Sequence, residues 1–161
     1  MMRSDNDAEL KALGCTHNAQ HIRNAMLFLA KFHLNNVGLT LNYGIPGQTM
    51  QSWHNSLHAA VIMQAETEFM RGNLTDADIL CRQAEEQALE AGEYSIYTAA
   101  AVLSARLALY DQPLRGGFPS LDRAADTLRR AHQYRVLTTV ELGRGWLSAL
   151  LGQTEQPPAW L

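Results

Sequence analysis

The chain is poor in cysteine, in proline and in β-branched aliphatic residues: 161 residues include two Cys, five Pro, and ten Val plus Ile. Each scarcity excludes something. Cys15 and Cys81 stand far apart, in neither a CxxC nor a zinc-ligand spacing, so no disulfide framework or cysteine metal site can be drawn from them. They read as reduced thiols of a cytoplasmic protein, because disulfides persist mainly in oxidising compartments. The prolines occupy only positions 46, 113, 119, 157 and 158, leaving long stretches open to helix. Without a segment of period two, the few Val and Ile argue against a sheet.

Charge is scarce too, at 18% of residues against about 25% in ordinary soluble domains. Such a surface fits one partly covered by neighbouring protein. The net charge of −3 supplies no electrostatic footprint for nucleic acid, and Arg129, Arg130 and Arg135 are too few to make a basic patch. Specific binding of duplex DNA by this chain is therefore not expected. The longest apolar stretch, AMLFLAKFHL (25–34), is too short to span a membrane and contains Lys31. Its polar, acidic N-terminal flank carries no signal-peptide pattern.

What is abundant is Ala (22) and Leu (23), the strongest helix formers, in a chain the size of one domain. The expected fold class is all-α. In the stretch AETEFMRGNLTDADILCRQAEEQALEAG (65–92), Ala77, Leu80, Cys81, Ala84 and Ala88 share one helical face, with charged residues mostly opposite. Thr75 with Asp78 reads as a weak capping box, and Gly92 as the left-handed end of the helix. Ala60, Met63, Ala65 and Phe69 mark a partner helix halted by Gly72-Asn73, which completes a hairpin.

The hairpin recurs. Ala65, Ala105 and Gly145 are spaced by 40 residues, as are Gly72, Gln112 and Gly152 at the helix ends. In the second helices Ala77, Cys81 and Ala84 match Ala124, Leu128 and Ala131 at an offset of 47, which predicts a seven-residue insertion around 113–118 and a cap at Ser120. Paired helices at such periods indicate a tetratricopeptide-like or related solenoid, here of about two and a half units and six to seven helices. The third first-type helix is expected over Val136–Leu151. Ala65, Ala105 and Gly145 should be buried at equivalent helix approaches.

Upstream, Ser4-x-x-Asp7 predicts a short helix to about Leu13, and a second is expected from His17 to Asn35. Ile22, Met26, Leu29 and His33 line one of its faces, and Leu27, Phe28, Phe32 and Leu34 surround the rest, predicting burial on more than one side. Residues 36–51 form the principal loop. The expected organisation is one compact domain, with helices and loop of 1–52 packing on a repeat region of 53–161. At the other end, Trp160-Leu161 after Pro157-Pro158 resembles an interrupted solenoid more than a cap, predicting self-association, such as a homodimer, through a terminal helix face.

The segments MQAETEFMRGNLTDADILCRQAEEQALEAG, YSIYTAAAVLSARLAL and ELGRGWLSALLGQTEQPPAWL resemble the helical-repeat region of large bacterial LuxR-type, MalT-like transcriptional regulators. The resemblance covers about residues 53–161, and the GQTEQPPAWL ending is its most particular part. Those regulators join an ATPase module, a tetratricopeptide-like solenoid and a C-terminal helix-turn-helix. Here GxxxxGK[ST] is absent and no basic recognition helix is evident, so neither ATP hydrolysis nor DNA binding carries over. What the resemblance implies is a non-enzymatic segment that binds a protein partner or a small-molecule effector, without a cofactor. Transferring the register of tetratricopeptide first helices places Glu66, Phe69, Met70, Arg106, Tyr110 and Trp146 on the concave face, where aromatics and Arg serve as interface anchors. The blander reading makes Phe69, Met70 and Trp146 core between helices.

The other candidates are weaker. His54/His58 and His17/His21 have the i, i+4 spacing of zinc ligands but lack the glutamate of HExxH, and read as surface histidines. Cys81 reads as a packing residue. Glu66 and Glu68 have no recognisable nucleophile or metal partner for acid–base chemistry. Two alternatives to the regulator segment stand: a stand-alone peptide-binding adaptor, and a small metal-dependent hydrolase on a helical scaffold.

Overall fold

The computed structural model describes residues 3–32, 34, 38–111 and 117–152. The described residues form seven helices and no strand: α1 (Asp7–Ala12), α2 (Ala19–Lys31), α3 (Met50–Arg71), α4 (Leu74–Glu90), α5 (Tyr94–Asp111), α6 (Phe118–Arg130) and α7 (Tyr134–Leu150). None is long and apolar enough to cross a membrane.

Local chemistry sets the boundaries. Asn6, rather than Ser4, caps α1 by accepting from the amides of Ala8 and Glu9. Asn18 caps α2 in a box whose return bond comes from the Asn18 amide to the His21 ring. Thr49 and Ser52 make the box that opens α3, so the expected loop ends two residues early and the 52/53 division falls inside the first turn of α3. Thr75 and Asp78 do not cap α4, which starts after Asn73; Asp78 instead pairs with Arg82 at 2.8 Å. Likewise Ser120 lies inside α6, which begins at Phe118 with Pro119 in its first turn, where a missing N–H costs nothing.

From α3 onward each helix packs on the next, and α3 also meets α5, as α5 meets α7. Two- and three-residue links turn the chain back on itself: Gly72-Asn73, Ala91–Glu93 and Ala131–Gln133. Element ends recur at 40 residues: Arg71 and Asp111, Glu90 and Arg130, Tyr94 and Tyr134. The turns recur as well. Gly92 (φ +70°) donates to Leu89 O and Glu93 to Ala88 O; His132 (φ +55°) donates to Arg129 O and Gln133 to Leu128 O. A histidine thus holds the left-handed position that glycine fills one hairpin earlier.

This regularity replaces the expected 47-residue offset. At 40 residues Ala77, Cys81, Ala84 and Ala88 match Gly117, Leu121, Ala124 and Leu128, and all eight are buried. Seven residues are two helical turns, so a slip of seven keeps every side chain on its face and cannot be detected from periodicity alone. Ala131, matched to Ala84 under the old offset, is the C-cap of α6. Gln112 and residues 113–116 lie outside the described residues.

Ala65 and Ala105 are buried where α3 meets α4 and α5 meets α6, but Gly145 is exposed. The reason lies in the stacking: the first two face the helix that follows, and no helix follows α7 among the described residues. Gly143, two positions earlier, makes the inward contact, toward Leu121 and Val102. The Ala105 contact is tight enough that a Cβ on Gly117 would stand 2.8 Å from the Ala105 carbonyl oxygen. Ala105→Leu should therefore overpack it and cost about 1–3 kcal/mol in urea denaturation. An unchanged midpoint would contradict this packing.

Residues of 3–49 attach to α3 in two ways. Leu10, Ile22 and Met26 bury against Ala59 and Met63. Around Glu9, Ser4 Oγ donates at 2.6 Å and Gln48 Nε2 at 3.0 Å, while Ser52 Oγ donates to the other carboxylate oxygen. The expected burial of α2 on more than one side does not hold: Ile22 and Met26 are buried, but Phe28 (62%) and Phe32 (58%) face out, their rings tilted against each other with centroids 4.6 Å apart. α2 has α3 on one side and no second described helix against its outer face. His33, Trp160 and Leu161 lie outside the described residues.

Candidate functional site

Because α3, α5 and α7 lie side by side with a common spacing, matching positions form rows across them. One row is Glu66, Arg106 and Trp146; another is Met70, Tyr110 and Leu150. Between the helices opens a groove of about 670 Å³, walled by Phe69 and Met70 from α3, Arg106 and Tyr110 from α5, and Leu142 and Trp146 from α7. Five of the six residues expected on the concave face line this one cavity. Glu66 does not line it.

The groove is aromatic at one end and centred on a cation. The Arg106 guanidinium carbon sits 4.7 Å from the centroid of the Phe69 ring, within cation–π range. Tyr110 meets the same ring edge-on at 5.6 Å and 79°, the geometry favoured by opposed ring quadrupoles. Phe69 also packs on the buried cluster of Ala65, Ala77 and Cys81, so it is part core and part wall. Met70 and Trp146 are exposed, as are Tyr110 (66%) and Leu142 (70%), and all four lie open to a partner. Among the described residues Arg106 makes no ion pair and no side-chain hydrogen bond.

Glu66 stands behind the groove, half-buried. Burial pushes its carboxyl up, against the downward pull of Arg106 and Arg23. Glu68 is engaged elsewhere, accepting from Arg71 at 2.7 Å and Asn73 at 2.6 Å to close the end of α3. The two carboxylates therefore do not act on a common point. Cys81 is fully buried, and burial pushes its thiol up to about 12 despite the Ser104 hydroxyl beside it, which makes it inert. His54 is exposed, and burial lowers the pKa of His58. No group of three or more His, Cys, Asp or Glu is placed to hold a metal among the described residues.

A second, larger cavity of about 900 Å³ opens between α4, α5 and α6. Of its charged groups, Arg82 pairs with Asp78 and the half-buried Glu85 accepts from the Ser104 hydroxyl at 2.6 Å, while Glu86 and Arg123 are exposed. The groove differs in holding a half-buried cation without an ion pair among exposed apolar anchors.

Leu142 lines the groove and was not anticipated, although it was legible. Ile62, Val102 and Leu142 recur at 40 residues, so extending the row of Glu66, Arg106 and Trp146 by one helical turn would have found it. No family model matches the chain, and neither a curated protein nor a solved structure is detectably similar to it.

Proposed function

We propose that this chain is a non-enzymatic helical-repeat module of the tetratricopeptide type that binds a protein partner in the groove across α3, α5 and α7. The observation that carries the reading is the convergence of Phe69, Met70, Arg106, Tyr110 and Trp146, drawn from three helices, on one open cavity. Aromatic and Arg side chains are the residue types that dominate binding energy at interfaces. An open groove with exposed anchors on successive helices suits an elongated segment better than a compact substrate. The sequence resemblance to LuxR-type regulators supports a setting in which such a module senses or scaffolds for a transcription factor.

Selection of peptides from a random twelve-residue display library on the purified chain tests the reading. Selected peptides should lose about thirtyfold or more in affinity on Tyr110→Ala or Trp146→Ala, as for hot-spot residues. Ile79→Ser, on the exposed face of α4, should leave binding unchanged. Peptides indifferent to both groove substitutions, or no selected peptides at all, would overturn it.

A further inference from the structure

The groove holds a charge that the fold does not satisfy. Arg106 projects from the middle of α5, half-buried, with its guanidinium over Phe69 and no ion pair among the described residues. Elsewhere along the chain Arg23, Arg71, Arg82, Arg129 and Arg144 each pair with a carboxylate at 2.6–3.1 Å, and Arg123, Arg130 and Arg135, which do not, are exposed to water. Glu66 is the acid whose field reaches Arg106, yet it makes no ion pair with it and does not line the groove. A cation–π contact uses none of the guanidinium N–H donors, which stay free for an acceptor, and carboxylate geometry matches their fork.

We propose that the occupant of the groove is an amphipathic peptide segment that presents one carboxylate to Arg106 within an otherwise apolar face. This rests on the partner-binding reading above and names the chemistry of the partner. Charge complementarity supplies the acid: partial burial takes water from Arg106, and an incoming apolar segment without an acceptor would strand it. Exposure supplies the rest. Tyr110, Leu142 and Trp146 stand half or more exposed around the cation, and Leu142 to Leu150 runs two turns, about 12 Å, along α7. A small anion would reach Arg106 and leave those side chains in water. A segment of several turns covers both.

The test uses the full chain and the same random twelve-residue library, selected in parallel on wild type and on Arg106→Gln. Wild-type selection should enrich peptides with one Asp or Glu flanked by Leu, Phe, Trp or Met, and selection on Arg106→Gln should lose the acid while keeping the apolar flanks. For a selected peptide, Glu→Gln should weaken binding to wild type about ten- to a hundredfold, the scale of a hydrogen bond to a charged group, and leave binding to Arg106→Gln nearly unchanged. Arg106→Lys, which keeps the charge and loses the fork, should fall between. Circular dichroism of each variant separates a lost contact from a lost fold; if Arg106→Gln is unfolded, the comparison of Glu and Gln peptides on wild type alone decides. Groove-dependent peptides with no acidic preference would overturn this inference and leave the partner-binding reading intact. Peptides indifferent to Tyr110→Ala and Trp146→Ala, or no binders, would overturn both.

Discussion

Leu128→Ala should cost about 2–5 kcal/mol, a large share of the roughly 5–15 kcal/mol that holds an ordinary domain together. Leu128 is fully buried in a cluster with Ala88 of α4, Tyr97 and Ala101 of α5, and Val140 of α7. Helices α4, α5 and α7 meet α6 there, and the cluster is rich in alanines such as Ala88 and Ala101, too small to move into a void. The loss therefore combines the transfer term of the removed carbons with an unrelaxed cavity. Urea denaturation should show a lower midpoint with an unchanged slope, since the native surface is not remodelled. Phe28→Ala makes the opposite control: its ring is larger, but it is 62% exposed, so the change should stay within about 0.5 kcal/mol. Equal effects at the two positions would mean that α6 does not seat between α5 and α7 as described.

Glu9→Gln should be the second costly change, at about 1–3 kcal/mol. The side chain is 3% exposed and its two oxygens accept from Ser4, Ser52 and Gln48, with Ser52 in the first turn of α3. Burial alone would raise its carboxyl, but the three hydrogen bonds outweigh it and hold the group below the usual glutamate range. The start of the 22-residue α3 adds the positive end of a helix dipole. An amide of the same shape brings an N–H₂ against donors and leaves at least one bond unmade. A depressed carboxylate pKa stabilises the fold above the ordinary value of about 4.3, and that contribution disappears as pH falls through the folded value. The stability gap between wild type and Glu9→Gln should therefore be full at pH 7 and shrink on acidification below about pH 4. Asp5 works the other way, since burial outweighs its bond to Arg23 and raises its pKa, so the difference between the two proteins, rather than wild type alone, reads out Glu9. A gap that is constant from pH 7 to pH 3 would refute the assignment.

How the apolar pattern translated into burial differs between the two ends of the chain. In α4, the shared face of Ala77, Leu80, Cys81, Ala84 and Ala88 turns inward: the four small residues are buried and Leu80 is half-buried against the cluster of Ala77 and Cys81. In α2, apolar residues spread around the helix predicted burial on more than one side, and only the Ile22–Met26 face is covered. A period reports which residues share a face. It carries no information on how many faces find a neighbour. The same limit explains Gly145, matched in sequence to two buried alanines and exposed because no helix follows α7 among the described residues.

What the sequence by itself determined is therefore local and periodic. The scarcity of Val, Ile and internal prolines set an all-α chain, the 40-residue recurrence marked where α3, α5 and α7 end, and left-handed turns at Gly72 and Gly92 closed the hairpin. Transferring the tetratricopeptide register marked six positions, five of which line the groove, because side-by-side helices of equal spacing bring equivalent positions together. Only the tertiary structure decided the rest. It separated Glu66 from the groove, laid Arg106 on Phe69 without an acid to pair with, and brought Ser4, Glu9, Gln48 and Ser52 into one network. These depend on distances between residues far apart in the chain and on which rotamer each neighbour leaves room for. Helical period fixes direction within one element, whereas pairing a charge needs the position of another.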